Sequence, residues 1–140
     1  MRFIQVGVGG FGRLWTDVLA SSGDAELVGL VDVDVDSLQN AARRAELPEE
    51  VCYEELPRAL DEVEADALVN VTPPAVHHGV AKEAFKRGLH MLTEKPLADD
   101  MEHARDMVRK ADEAGVTLMV SQNYRFRSWA RTVRAILGED

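Results

Sequence analysis

The run Gly7-Val8-Gly9-Gly10-Phe11-Gly12 constrains this chain more than any other stretch, because it joins an apolar segment, Phe3 to Val8, to an amphipathic one. Glycines at its first, third and sixth positions permit a tight turn, a close approach of backbone to a pyrophosphate, and close packing of helix on strand. The helix that follows would aim its free N–H groups and positive dipole end at the same place, so the turn reads as an anion cradle. Taken alone, such a pattern describes an ordinary glycine turn equally well. Its context narrows the choice. Phe11, Leu14, Trp15, Val18 and Leu19 recur at i, i+3, i+4, i+7 and i+8, which predicts a helix with these five residues inward. A second apolar segment, Leu27 to Val31, ends in Asp32, where a dinucleotide fold places the carboxylate that accepts hydrogen bonds from the adenosine ribose. Gly7, Val8, Gly9, Gly10, Phe11, Gly12 and Asp32 are therefore the first candidate cofactor contacts.

The alternation continues. Asp36 and Gln39 have the spacing of a capping box before a helix with Leu38, Ala41, Ala42 and Ala45 inward, which Pro48 would end. Val51 to Tyr53 is a short strand candidate, Leu56 to Val63 a short helix, and Ala67 to Val71 a continuous apolar run of the kind a strand shows when covered on both faces. Beyond Thr72-Pro73-Pro74, a helix with Val76, Val80, Ala81, Ala84 and Phe85 inward leads to a strand, Leu89 to Thr93, and to Glu94-Lys95-Pro96. Asp99 and Glu102 form another capping pair, ahead of a helix with Met101, Ala104, Val108 and Ala111 inward. Thr117 to Val120 is a sixth strand, and Trp129, Val133, Ile136 and Leu137 mark the apolar side of a last helix. Strands alternating with helices predict an α/β fold of the Rossmann type. Its sheet would be doubly wound and mostly parallel, with six strands in order 3-2-1-4-5-6 and helices on both faces. Ligands of such sheets bind beyond the carboxyl ends of the strands, at the switch point between strands 1 and 4. Gly9, Asp32, Thr72, Glu94 and Gln122 all fall at those ends.

Composition removes several alternatives. The formal net charge of −9 disfavours nucleic acid and anionic membrane surfaces as partners. Apolar runs fall far short of a membrane span, and a glycine turn only seven residues in leaves no room for a secretory leader, so a cytoplasmic location is expected. The single cysteine, Cys52, reads as a small buried apolar residue. His77, His78, His90 and His103 form no paired ligand motif, so no metal is expected.

Together with the glycine turn, four further stretches resemble one family, the glucose-fructose oxidoreductase, inositol dehydrogenase and rhizopine-catabolism group. They are Asp66-Ala67-Leu68, Thr72-Pro73-Pro74-Ala75-Val76-His77, Gly88 through Ala98, and Asn123-Tyr124-Arg125-Phe126. The resemblance implies a nicotinamide-dependent oxidoreductase acting by hydride transfer on a sugar, polyol or related carbinol. It makes Lys95 the catalytic lysine beside the nicotinamide and the reacting carbinol, where partial burial would ease proton transfer. It makes Glu94 an acceptor for a cofactor ribose hydroxyl, and places Thr72, Pro73, His77 and Asn123 along the cofactor site, with Tyr124 and Arg125 near its nicotinamide half. Asp32, Asp34 and Asp36, with no arginine directly after Asp32, favour NAD over NADP. Family members continue into a second α/β domain that supplies substrate contacts. Residues 1–140 are thus expected to be the dinucleotide-binding domain, with no turnover alone and an exposed face near Phe126 and Trp129 that favours self-association. A non-catalytic dinucleotide-binding module is the rival reading. A methyltransferase of the same fold would leave Glu94-Lys95-Pro96 without a role.

Overall fold

In the computed structural model, residues 1–138 are described, and the apolar segments of the sequence become six short strands. They are β1 (Arg2–Val6), β2 (Glu26–Val31), β3 (Cys52–Tyr53), β4 (Ala67–Asn70), β5 (His90–Thr93) and β6 (Leu118–Val120). Between and after them run α1 (Gly12–Ser21), α2 (Val35–Ala45), α3 (Leu56–Glu62), α4 (Pro74–Lys86), α5 (Met101–Ala114) and α6 (Ser128–Leu137). Single 3-10 turns occupy Glu49–Val51 and Asn123–Phe126. The strands form one parallel sheet in the order β3-β2-β1-β4-β5-β6, as the alternation predicts. β4 is buried along its whole length, which is why it reads as an unbroken apolar run. Alternate residues of each strand face opposite layers. Ile4 and Leu68 join Ala59, Val80, Ala84, Phe85 and Met107 of α3, α4 and α5, whereas Val69 joins Leu19, Leu38 and Ala41 of α1 and α2. Among the described residues, no helix is long and apolar enough to cross a membrane.

Helix positions follow the periodicity, and so do the inward faces of α2 and α4 apart from half-buried Ala45 and exposed Val76, but the inward edges of α1, α5 and α6 do not. On α1 the buried line is Gly12, Thr16 and Leu19, while Phe11, Leu14 and Val18 are exposed and Trp15 is half-buried. Small residues let a helix lie close to a sheet, and a pattern weighted by hydrophobicity passes over Gly and Thr. On α5 the same rotation buries Met107 and Ala111 and leaves Met101 and Val108 exposed. On α6 no residue is buried at all: Trp129, Val133, Ile136 and Leu137 lie exposed. The capping residues also shift. Asp34, not Asp36, caps α2 by accepting the Asp36 N–H, and Asp100, not Asp99, caps α5 by accepting the His103 N–H at 2.8 Å. α2 stops at Ala45, before Pro48, because Glu46 takes a left-handed conformation (φ 55°).

Candidate functional site

The glycine turn closes the carboxyl end of β1. Gly7 has φ +86°, and a Cβ there would lie 2.8 Å from the Val71 carbonyl carbon and oxygen. A Cβ on Gly12 would sit 2.2 Å from the Gly7 carbonyl oxygen, so neither position admits a side chain. Gly9 differs: its Cβ would meet only Ser37 Oγ at 3.2 Å and, at ordinary contact distance, Asp32 Oδ2. A larger group at Gly9 therefore projects toward the ligand side and the Asp32 carboxylate instead of into the fold.

Polar groups brace this turn from below and from beside it. Gln5, fully buried in β1, donates from Nε2 to the carbonyls of Gly7 (3.0 Å) and Gly12 (2.8 Å). Thr16 of α1, equally buried, donates from its hydroxyl to Gln5 Oε1 at 3.0 Å. Neither residue was singled out from the sequence; the available signal was a glutamine inside an otherwise apolar strand. From β2, Asp32 Oδ2 accepts the N–H groups of Val8 (2.8 Å) and Gly9 (3.2 Å), and Oδ1 accepts that of Asp34 (3.1 Å). Asp32 is thus an organiser of the turn as well as a candidate ribose acceptor. The turn opens on a cavity of about 580 Å³ at the β1/β4 switch point. Gly7, Gly9, Gly10, Phe11, Asp32, Thr72 and Pro73 line it together with the apolar Val33, Leu56 and Val76. Val8 and Gly12 are buried beneath it and serve through backbone geometry.

The ends of β4 and β5 are tied to each other. Asn70 Oδ1 accepts from the Thr72 hydroxyl (2.7 Å), and Asn70 Nδ2 donates to Thr93 Oγ1 (3.2 Å). His77, expected to line the cofactor site, is instead fully buried. Its Nε2 lies 2.8 Å from the Thr72 carbonyl oxygen and its Nδ1 3.0 Å from that of Pro96. Carbonyl oxygens only accept, so an N–H on either ring nitrogen finds a partner there. The start of α4 sets the imidazole beneath the loop after β5, against the Thr72 and Pro96 carbonyls. His77 therefore shapes the site by holding Thr72 and the Pro96 carbonyl.

Glu94 and Lys95 emerge at the end of β5. Glu94 is half-buried, with Oε1 accepting the Trp15 indole N–H (3.0 Å) and Oε2 accepting the Lys95 N–H (3.1 Å). Lys95 is exposed, so the burial expected around its ammonium is not supplied by its neighbours in this chain. Neither residue lines the β1/β4 cavity, and neither does Asn123, which starts the exposed 3-10 turn after β6 with Tyr124 and Arg125.

Other reactive groups lie elsewhere. The Cys52 thiol is pushed up, first by burial and then by Glu49 and Glu50, which opposes a thiolate role. His78 and His103 stack at 4.3 Å between centroids, with His78 Nε2 2.7 Å from Asp106 Oδ2 and His103 Nδ1 2.7 Å from Asp99 Oδ1. Asp99, Asp100 and His103 place ligand-type atoms within 4.8 Å of one another, at the entry to α5, where capping and ion pairing already account for them.

Comparison with known proteins agrees with this geometry. The family model GFO_IDH_MocA, described as an oxidoreductase family with an NAD-binding Rossmann fold, matches residues 1–122. Protein y4oX of Sinorhizobium fredii is 36% identical over 99% of this chain and 40% of its own length. The UDP-N-acetylglucosamine 3-dehydrogenase of Acidithiobacillus ferrooxidans is 34% identical over 86% of this chain and 36% of its own. Among solved structures, the WlbA dehydrogenase of Bordetella pertussis, crystallised with NADH and UDP-GlcNAcA, superposes with a TM-score of 0.91. It shares 33% identity and is matched over 98% of this chain and 41% of its own. The chain thus spans about 40% of the length of these relatives.

Proposed function

This chain belongs to the GFO_IDH_MocA oxidoreductase family, and from that premise we propose that its cleft holds NAD and serves hydride transfer to and from a sugar or polyol carbinol. The observation that carries the reading is the cavity at the β1/β4 switch point, floored by a glycine turn that two Cβ clashes forbid to change. Asp32 takes the amides of Val8 and Gly9, and the Gly9 carbonyl takes that of Gly12. The amides of Gly10 and Phe11, at the α1 N-terminus, are then the ones that meet a pyrophosphate. Asp32 Oδ1 keeps one lone pair for a ribose hydroxyl, while Val33, Leu56 and Val76 offer an apolar wall to the adenine.

NAD is favoured over NADP because Asp32 and Asp34 repel a 2′-phosphate at that edge. Two arginines of α2 are engaged, Arg43 donating to Asn40 (2.6 Å) and Arg44 pairing with Asp17 (2.5 Å). Bound there, the dinucleotide supplies the hydride acceptor; the chain's own part is orientation and proton handling. Lys95, as the neutral amine, would accept the carbinol hydroxyl's hydrogen bond and take its proton as the carbonyl forms, and Glu94 would accept from a ribose hydroxyl. The substrate class is supported by one relative named for a UDP-sugar and another crystallised with one.

We assign residues 1–140 to the dinucleotide-binding unit and infer that substrate positioning comes from the length of the relatives that this chain does not span. Hydride transfer needs the reacting atoms held about 3–3.5 Å apart. The candidates here, Tyr124 and Arg125, are exposed on a turn. Calorimetric titration of the 140-residue chain with NAD and NADP tests the reading. Tight NAD binding, weaker NADP binding and loss of both on Gly9→Val are expected. Equal NAD affinity of wild type and Gly9→Val would show that the cradle is misplaced. Once a second domain restores turnover, Lys95→Ala should remove most of it and leave NAD affinity within a few fold.

A further inference from the structure

Trp15 and Glu94 lie 79 residues apart in sequence, one on the helix that starts at the phosphate turn and the other at the end of β5, yet their side chains meet at 3.0 Å. An indole nitrogen only donates and an ionised carboxylate only accepts, so the direction of this bond is fixed. Trp15 is held from behind, half-buried against the core layer that contains Leu19 and Val69. Glu94 would otherwise be a half-exposed side chain with several free torsions. With Oε1 on the indole and Oε2 on the Lys95 N–H, its carboxylate has one orientation. Each oxygen still carries a second lone pair for another donor.

We propose that Trp15 is a positioning residue for the cofactor site, locking the Glu94 carboxylate to α1 so that ribose acceptor and phosphate turn are one rigid unit before the dinucleotide binds. The inference rests on reading the cleft as a dinucleotide site. Its physical content is preorganisation: a Glu side chain has much rotamer freedom to lose, and losing it on folding instead of on binding strengthens binding without adding a contact. The same bond fixes the entry of the Lys95 backbone, because the second Glu94 oxygen holds that residue's N–H. As the pair is only part-buried, its absence should be felt in ligand affinity far more than in the stability of the fold.

The test is a double-mutant cycle in which NAD is titrated calorimetrically into wild type, Trp15→Phe, Glu94→Ala and the double variant. Trp15→Phe should weaken NAD binding roughly five- to tenfold, where tenfold corresponds to about 1.4 kcal/mol, with a melting temperature close to wild type. In the Glu94→Ala background the same change should alter affinity less than about twofold, because nothing is left to position; a general packing role would carry through undiminished. If wild type and Trp15→Phe bind NAD equally, the positioning role is wrong and the cleft reading stands. Equal effects of Trp15→Phe in both backgrounds also overturn it. If wild type binds no NAD, the cleft reading fails and this inference with it. Should Trp15→Phe not fold, the Trp15 indole N–H resonance in ¹⁵N spectra decides: it should move on Glu94→Gln, and an unmoved resonance shows that the bond is not made in solution.

Discussion

α1 and α6 are both ten-residue helices with apolar residues at helical spacing, and the structure treats them in opposite ways. α1 buries Gly12, Thr16 and Leu19 and is bound to β1 through Gln5 and to β5 through Trp15. α6 buries nothing. The difference is that α1 is positioned by buried polar groups with defined partners and by a glycine that allows close approach, whereas α6 presents an apolar stripe and buries no residue. A stripe says that a face prefers to be covered; it does not say by what. Satisfied buried polar groups, in contrast, name their partners, because each one left unpaired carries a large penalty.

The comparison breaks most visibly at Gly12. Gly12→Ala puts a Cβ 2.2 Å from the Gly7 carbonyl oxygen, and both groups are backbone, so nothing flexible can yield. A loss of about 3 kcal/mol or more in urea unfolding is expected, at the upper end of overpacking costs. An alanine tolerated within about 1 kcal/mol would mean that α1 can slide off β1. Gln5→Leu is the next step down. It keeps the volume and removes the donors to Gly7 and Gly12 and the acceptor for Thr16. A cost of about 2 kcal/mol is expected from the groups left unpaired, with weaker NAD binding as the turn loosens.

These residues also separate what local chain chemistry dictates from what only the folded chain defines. The glycine turn, Asp32 and the strand order were legible because each follows from local chain chemistry or from a topological rule. Gln5 and Thr16 were not, because a polar residue in a strand or helix interior has no partner until the turn is folded over it. Trp15 was assigned to the inward face, yet its indole nitrogen reaches a carboxylate that the sequence places 79 residues away. The motif around His77 marks a residue near Thr72, but the ring's contacts with the Thr72 and Pro96 carbonyls depend on how α4 starts and are not legible in the sequence. Glu94 and Lys95 were placed at the right strand end, while the covering that Lys95 was expected to have is not contributed by the residues around it.

Surface polar groups sharpen the contrast from the other side, since exposed partners should matter less than Gln5. Asp106 accepts from His78 and Arg109, which hold its carboxyl down from 3.8 to about 2. A carboxyl lowered on folding contributes stability above its unfolded value, near pH 4, and loses it as pH falls through about 2. His103 runs the other way. Its pairing with Asp99 raises it, so its contribution is complete below its ordinary value and disappears as pH rises through the raised one. Asp106→Asn should therefore lower stability slightly at neutral pH and leave it unchanged below about pH 2, which flattens the acid limb of the profile between about pH 4 and 2. An unaltered acid limb would assign the acid transition to other carboxylates.

The smallest expected effect is on α6. Ile136 is 78% exposed and Leu19 of α1 is 6% exposed, so the same kind of change should separate the two helices cleanly. Leu19→Ala should cost about 2–5 kcal/mol as a core truncation, and Ile136→Lys should stay within about 0.5 kcal/mol, as for a surface position. The small effect of Ile136→Lys holds only while α6 is uncovered in solution. If Phe126, Trp129 and Ile136 are covered by a second copy of the chain, Ile136→Lys removes part of an interface. The measured loss then grows with protein concentration, because association stabilises the folded form by mass action. Melting curves of wild type and Ile136→Lys over a hundredfold range of concentration tell the cases apart. Parallel, concentration-independent curves leave α6 a free face, and a wild-type melting temperature that rises with concentration and stops rising in Ile136→Lys makes it a self-association surface.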